Sequence, residues 1–391
     1  MSRPTVEVAD IVQARGDRFV DSYRRRLSYQ QLNVLRAIGR CRTAALGGHV
    51  DNCLRCGHTA ISYNSCRNRH CPKCQAQARQ RWLAAREQEL LGLPYFHVVF
   101  TLPHELIPLC QRNPKALYDL LFQTSAATML EVAADPKHLG AKIGFLSILH
   151  TWGQNLLAHP HVHCVIPAGG FSADSTGWVH PKYPFFLPVK VLSRVFRGKF
   201  VDGLKRVYCK KKIQFSRADA ELEQPKQFLS FLRRLFRQDW VVYAKPTFGG
   251  ASQALRYLGR YTHRVAISNH RLLAFDGERV TFRWKDYARG NKQRKMTLTA
   301  TEFLRRFMQH VLPRGFVRIR HFGFLANSCR TERLNLARQL LAVTPKPRES
   351  CAQSDSDVRT WRCPQCGTAM RIGPNLTARQ LALRCSFFDS S

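Results

Sequence analysis

The sequence predicts an α+β protein: a helical, cysteine-rich N-terminal region followed by a larger domain built on an antiparallel sheet flanked by helices. Three observations carry this. Strand-like apolar runs and helical stretches are interspersed without a regular βαβ repeat. Paired C-x-x-C spacings sit between two helical stretches near the N-terminus. With 391 residues and an apolar fraction of 45%, the chain is long enough for two or three units with their own cores.

The first helix lies in "SYQQLNVLRAIGRCRTAALGG". Ser28 can cap it, apolar residues fall at 32, 34, 35 and 38, and Gly47-Gly48 would end it. Residues 53–74 are rich in cysteine, and "QAQARQRWLAAREQELLG" reads as a second helix stopping at Gly92 before Pro94. Strands then follow in "YFHVVFTLP", "IGFLSILHTWG" and "HVHCVIPAGGF", with helices around 114–133 and 226–238. "RLLAF-DGE-RVTFRW" reads as a hairpin turning at Asp276-Gly277. A polar linker begins near residue 345 and leads to a short cysteine-containing tail. The expected division is 1–92, 93–345 and 346–391.

Charge narrows the function. Lys and Arg number 62 against 26 Asp and Glu, a formal net charge of +36 spread through folded-looking sequence. Such self-repulsion makes sense beside a polyanion, so nucleic acid is the expected partner. Membrane-surface binding would call for a long basic amphipathic helix with an aromatic face. No run of eighteen apolar residues could span a bilayer. The first residues lack an apolar signal core, and a cytoplasmic location is expected.

In "CLRCGHTAISYNSCRNRHCPKC", Cys53 and Cys56 form one knuckle, and Cys71 and Cys74 another. Four thiolates from two such knuckles suit one tetrahedral zinc ion in a ribbon. Cys66 and His70 lie between them as alternative ligands. The tail's "CPQCG" is half of a further knuckle, flanked at a distance by Cys351 and Cys385.

In "LAHPHVHCVIPAGG", His159, His161 and His163 alternate, so on a strand they share one face; Val162 and Val165 are assigned to the apolar side. Two neutral imidazoles become an open metal site when a third group joins them. Gln154, across a turn, could supply it. A bare H-x-H more often packs or faces solvent. Tyr257 and Tyr261 in "ALRYLGRYTHRVAIS" stand four apart, which puts both phenols on one helix face.

Together these residues resemble the insertion sequence 91 family of transposases. His161-Val162-His163 matches the HUH motif (U being hydrophobic), Tyr257-x3-Tyr261 the two-tyrosine motif of rolling-circle nucleases, and "SCRNRHCPKCQ" with "HVVFTLPHEL" the N-terminal part. The resemblance covers roughly residues 20–335. It implies an HUH endonuclease domain with the histidines on a central antiparallel strand, preceded by a zinc-binding DNA-recognition domain. It implies that His161 and His163 hold Mg²⁺ or Mn²⁺, with Gln154 as third ligand by analogy. Tyr257 and Tyr261 would be nucleophiles forming 5′-phosphotyrosine links with single-stranded or hairpin DNA ends, and zinc would sit at the N-terminal ribbon. Two rival readings are an HUH replication initiator or relaxase and a non-catalytic zinc-ribbon DNA-binding protein. Relaxases usually place the tyrosine before the histidines, the reverse of the order here.

Overall fold

The computed structural model describes residues 4–183, 186–246, 259, 265–286, 289–342 and 361–385. In chain order the described elements begin with α1 (Val8–Tyr23), α2 (Tyr29–Gly39), β1 (Gly48–Asn52), β2 (Thr59–Tyr63), α3 (Gln75–Glu87) and β3 (Tyr95–Thr101). Next come α4 (Ile107–Arg112), α5 (Pro114–Ala134), β4 (Gly144–Trp152), β5 (Ala158–Pro167) and the short β6 (Gly170–Phe171) and β7 (Trp178–Val179). Then α6 (Val189–Cys209), α7 (Pro225–Arg237), β8 (Val242–Pro246), β9 (Leu272–Phe275), β10 (Arg279–Asp286) and β11 (Lys292–Thr299) follow. The last are α8 (Ala300–Met308), β12 (Ile319–Gly323), α9 (Arg330–Leu340), β13 (Arg371–Leu376) and α10 (Ala378–Cys385).

Local chemistry explains most boundaries. The Ser28 hydroxyl accepts the Gln31 backbone N–H at 3.2 Å, and the Gln31 side chain accepts the Ser28 N–H at 2.8 Å, a reciprocal cap on α2. The helix ends at Gly39 and not at Gly47-Gly48. Arg42 turns left-handed at φ 57°, and its N–H donates to the Asn64 carbonyl at 3.0 Å, which pulls Cys41 out of the helix. Similarly, α3 stops at Glu87, before Gly92. α5 and α7 each start on a proline, whose missing N–H costs nothing in a first turn. The Asp276 carboxylate accepts the N–H groups of Glu278 and Arg279, fixing the β9–β10 turn.

The chain forms two compact units, both discontinuous in sequence. The first gathers Met1–Ala78, Ile267–Met308 and Pro347–Ser391. It holds α1 and α2, a β13-β1-β2 sheet and a β9-β10-β11 meander that leads into α8. Gln31 donates to the Met308 carbonyl at 2.9 Å and Asn269 accepts the Val8 N–H at 3.2 Å, tying the helices to the meander.

The second unit contains Arg79–Ala266 and Gln309–Lys346. Its sheet runs β12-β4-β5-β3-β8, with antiparallel neighbours throughout. One face packs Phe96, Val98, Phe145, Leu149, Val162 and Ile166 into a large core with the apolar sides of α5, α6 and α7. The opposite face carries a smaller cluster, Tyr95, Leu146, Ile148 and Val165, against Trp82 and Leu83 of α3. All nine residues of β4 are buried because both faces are covered. Val165 therefore stands on the histidine side and only Val162 in the main core, as strict alternation requires.

Candidate functional site

β5 lies at the centre of the five-stranded sheet and presents His161 and His163 on one face. Register sets His150 of β4 opposite His161, and Val99 of β3 opposite His163. Three imidazole nitrogens converge there: His163 Nε2 is 3.1 Å from His161 Nε2 and 3.1 Å from His150 Nδ1. Nitrogens bound about 2.1 Å from one ion and at right angles to each other lie about 3.0 Å apart, so the set fits a single cation.

The second ring nitrogens of His161 and His163 are already used. His161 Nδ1 donates to the His159 carbonyl at 2.6 Å, which leaves Nε2 with its lone pair toward the cluster. His163 Nδ1 meets Nε2 of His97, from β3, at 2.7 Å, with the rings stacked 5.0 Å apart. Burial pushes the His97 pKa down to about 4, so this ring is neutral near pH 7. His150 lies flat on Trp152 at 4.7 Å, which locks its orientation. His150 and His163 are buried, whereas His161 is partly open to solvent, leaving one side approachable.

Gln154 lies in the turn between β4 and β5, four residues past His150. His159 is exposed and contributes a backbone carbonyl. Tyr257 and Tyr261 lie outside the described residues, as does Tyr287. Between the two tyrosines, Gly259 is described: it is helical and buried, and a β-carbon there would come within 2.7 Å of Leu83. Sequence reasoning missed His97 and His150, although both stand in runs read as strands.

The cysteines form two four-thiol clusters in the first unit, not one ribbon site. Cys71 and Cys74 join Cys41 and Cys66, while Cys53 and Cys56 join Cys363 and Cys366 of the tail. The expected grouping of Cys53, Cys56, Cys71 and Cys74 is therefore corrected. β1 and β2 carry the two knuckles apart, and each finds its partners elsewhere. His70 is buried beside Cys71 but belongs to neither cluster. In the first cluster Cys74 Sγ lies 3.5 Å from Cys41 Sγ and 3.6 Å from Cys66 Sγ. Four sulfurs about 2.3 Å from zinc would stand about 3.8 Å apart, whereas a disulfide needs about 2.0 Å. The four thiols share one set of hydrogen bonds, which pushes Cys66 and Cys71 up and holds Cys41 and Cys74 down.

Comparison with known proteins fits this geometry. A family described as "Transposase zinc-binding domain" matches residues 11–102, and one described as "Putative transposase" matches residues 144–333. "Putative transposase y4qJ" of Sinorhizobium fredii (strain NBRC 101917 / NGR234) is 51% identical over 356 residues, 91% of this chain and 89% of that protein. "Transposase for insertion sequence element IS801" of Pseudomonas savastanoi pv. phaseolicola is 29% identical over 348 residues, 84% of this chain and 80% of that protein. No solved structure matches. Among the described residues no helix is long and apolar enough to cross a membrane. With its zinc-binding domain, its four-cysteine clusters and its histidine triad, the chain belongs to the insertion sequence 91 family of transposases, enzymes that cut and transfer DNA strands.

Proposed function

We propose that this transposase works by a rolling-circle mechanism, cleaving and rejoining single DNA strands through tyrosine-linked intermediates. The observation that carries the reading is the convergence of three imidazole nitrogens, two from the H-x-H strand and one from His150, at separations suited to one cation. His161 and His163, with His150 or Gln154 as the third group, would hold Mg²⁺ or Mn²⁺. Imidazole is softer than Mg²⁺ prefers, which favours Mn²⁺ in vitro. When bound, the cation neutralises charge on the oxygens of the scissile phosphate.

The chain's own residues do the remaining work. The His159 carbonyl fixes the tautomer of His161, and His97 accepts from His163 Nδ1, so both Nε2 lone pairs face inward. The phenol oxygen of Tyr257 or Tyr261 bonds to phosphorus as the bond from phosphorus to the 3′ oxygen breaks. The phenol proton passes to solvent, and the leaving oxygen takes up a proton and departs as a 3′-hydroxyl. One ester replaces another, so reverse attack by a 3′-hydroxyl reseals a strand without ATP. Two tyrosines four positions apart in sequence would allow two successive transfers without release of the DNA. Single-stranded or hairpin element ends are the proposed substrate, with the Lys and Arg surplus supplying affinity.

Incubation with a labelled single-stranded oligonucleotide and Mn²⁺, followed by denaturation and peptide mapping, tests the reading. A covalent 5′-phosphoryl adduct should appear on Tyr257 or Tyr261. It should vanish in the Tyr257→Phe, Tyr261→Phe double variant. An adduct that persists in that variant, on Tyr287 for instance, would refute the assignment.

A further inference from the structure

We infer that the chain holds two structural zinc ions, and that the second is closed by the C-terminal tail, which thereby becomes part of the N-terminal zinc domain. Both regions matched to transposase families end before residue 363, so neither includes the tail cysteines. The two halves of this site are also far apart in sequence: Cys53 meets Cys366 across 313 positions, and Cys56 meets Cys363 across 307.

The argument rests first on the matching shape of the two knuckles. In "CLRCGH" the Cys53 N–H donates to the His58 carbonyl at 2.8 Å, and the Gly57 N–H donates to the Cys53 carbonyl at 3.0 Å. In "CPQCGT" the Cys363 N–H donates to the Thr368 carbonyl at 2.8 Å, and the Gly367 N–H donates to the Cys363 carbonyl at 2.9 Å. Gly57 and Gly367 turn at φ 72° and 71°, left-handed values that a glycine adopts without strain. Each knuckle aims two sulfurs at one point. Across that point Cys53 Sγ and Cys366 Sγ lie 3.4 Å apart, and Cys56 Sγ and Cys363 Sγ 3.6 Å. These separations are near the ~3.8 Å edge of a zinc tetrathiolate and far from a disulfide bond.

The surrounding fold is built to hold the tail there. β13 pairs with β1 from Gly48–Leu376 to Asn52–Arg371, completing a sheet whose other edge is β2. Leu376 and Leu381 bury against Val50 and Ala44, and Met370 packs beside Cys53 and Cys363. These apolar clusters are small, so a metal is the natural staple, and its binding energy becomes folding energy for the tail.

The inference does not depend on the cleavage mechanism, because its readout is metal and thiol chemistry in the full chain. Mass spectrometry of the native protein should find two zinc ions per chain, one for each four-cysteine cluster. Cys363→Ser with Cys366→Ser should leave one. Cys53→Ser with Cys56→Ser should leave one, and combining all four substitutions should still leave one. A wild-type chain with a single zinc, or a tail variant that keeps two, would overturn the proposal. Alkylation of the wild-type protein covers the case in which a variant fails to fold. Cys56 is exposed and Cys363 buried, so free thiols would react in that order. A shared zinc should instead protect both from iodoacetamide until a chelator is added, after which Cys53, Cys56, Cys363 and Cys366 should become reactive together. Rapid modification of Cys56 in the zinc-loaded protein would equally refute the shared site.

Discussion

A change at His97 would separate holding the proposed cation from using it. Its Nε2 meets Nδ1 of His163 at 2.7 Å, on the side of that ring away from the cluster, so it acts as a positioning residue. His97→Phe keeps a flat ring in the same buried slot but removes the acceptor. Outer partners of this kind are worth about 10- to 100-fold in metal affinity. In a Mn²⁺ titration of oligonucleotide cleavage, the half-saturating concentration should rise by about that factor while the saturated rate stays near wild type. A lower plateau with an unchanged midpoint would show that His97 acts otherwise. His161→Ala and His163→Ala should instead abolish cleavage and leave DNA binding almost intact, since dispersed cations dominate affinity. His150 reaches the cluster in unbroken register: the pairing that sets Leu146 against Val165 and Ile148 against His163 also sets it against His161. Trp152 pairs with Ala158, so the register shifts only beyond His150, outside the cluster.

At the scale of elements, the sheet edge that supports β4 depends on Gly323. It closes β12 at φ 60°, paired with Gly144, and a β-carbon there would lie 1.8 Å from the Ile143 carbonyl oxygen. Backbone, unlike the tip of a side chain, cannot move aside cheaply. Gly323→Ala should cost on the order of 1–3 kcal/mol or more, seen as a lower denaturant midpoint. It should weaken cleavage too, because β4 carries His150. A variant as stable as wild type would mean that this edge relaxes freely. The strands around the site were legible from their apolar runs: β3 and β4 fall inside the segments read as strands, β5 begins three residues ahead of its segment at Ala158, and α5 and α7 match the helices expected near 114–133 and 226–238. The helix ends were less legible. Gly39 and Glu87 end helices whose apolar pattern continues past them, because the chain must leave to deliver Cys41 and to enter β3.

For the whole molecule, the +36 charge makes a quantitative demand. Each phosphate of a single strand neutralised by Lys or Arg contributes about −0.7 to the slope of log affinity against log salt. A protein that contacts several phosphates should therefore bind a single-stranded oligonucleotide far more weakly at physiological salt than at low salt. Fluorescence anisotropy across that range checks this. A flat response would mean that the cations serve some purpose other than DNA.

By itself the sequence determined the α+β class, the basic character, the H-x-H strand, the tyrosine pair and the presence of thiolate metal sites. These are local or compositional properties: alternation places His161 and His163 on one face, and a C-x-x-C spacing brings two sulfurs together wherever it occurs. Only the tertiary structure decided which cysteine pairs come together and which rings complete the histidine cluster. Cys53 and Cys56 could have closed on Cys71 and Cys74 fifteen or more positions away, yet they meet Cys363 and Cys366 through the pairing of β1 with β13. His97 and His150 reach His163 through the pairing of β5 with its two neighbouring strands. Side-chain chemistry is written residue by residue, but partnership across a sheet depends on register, and register is set by the packing of the whole unit.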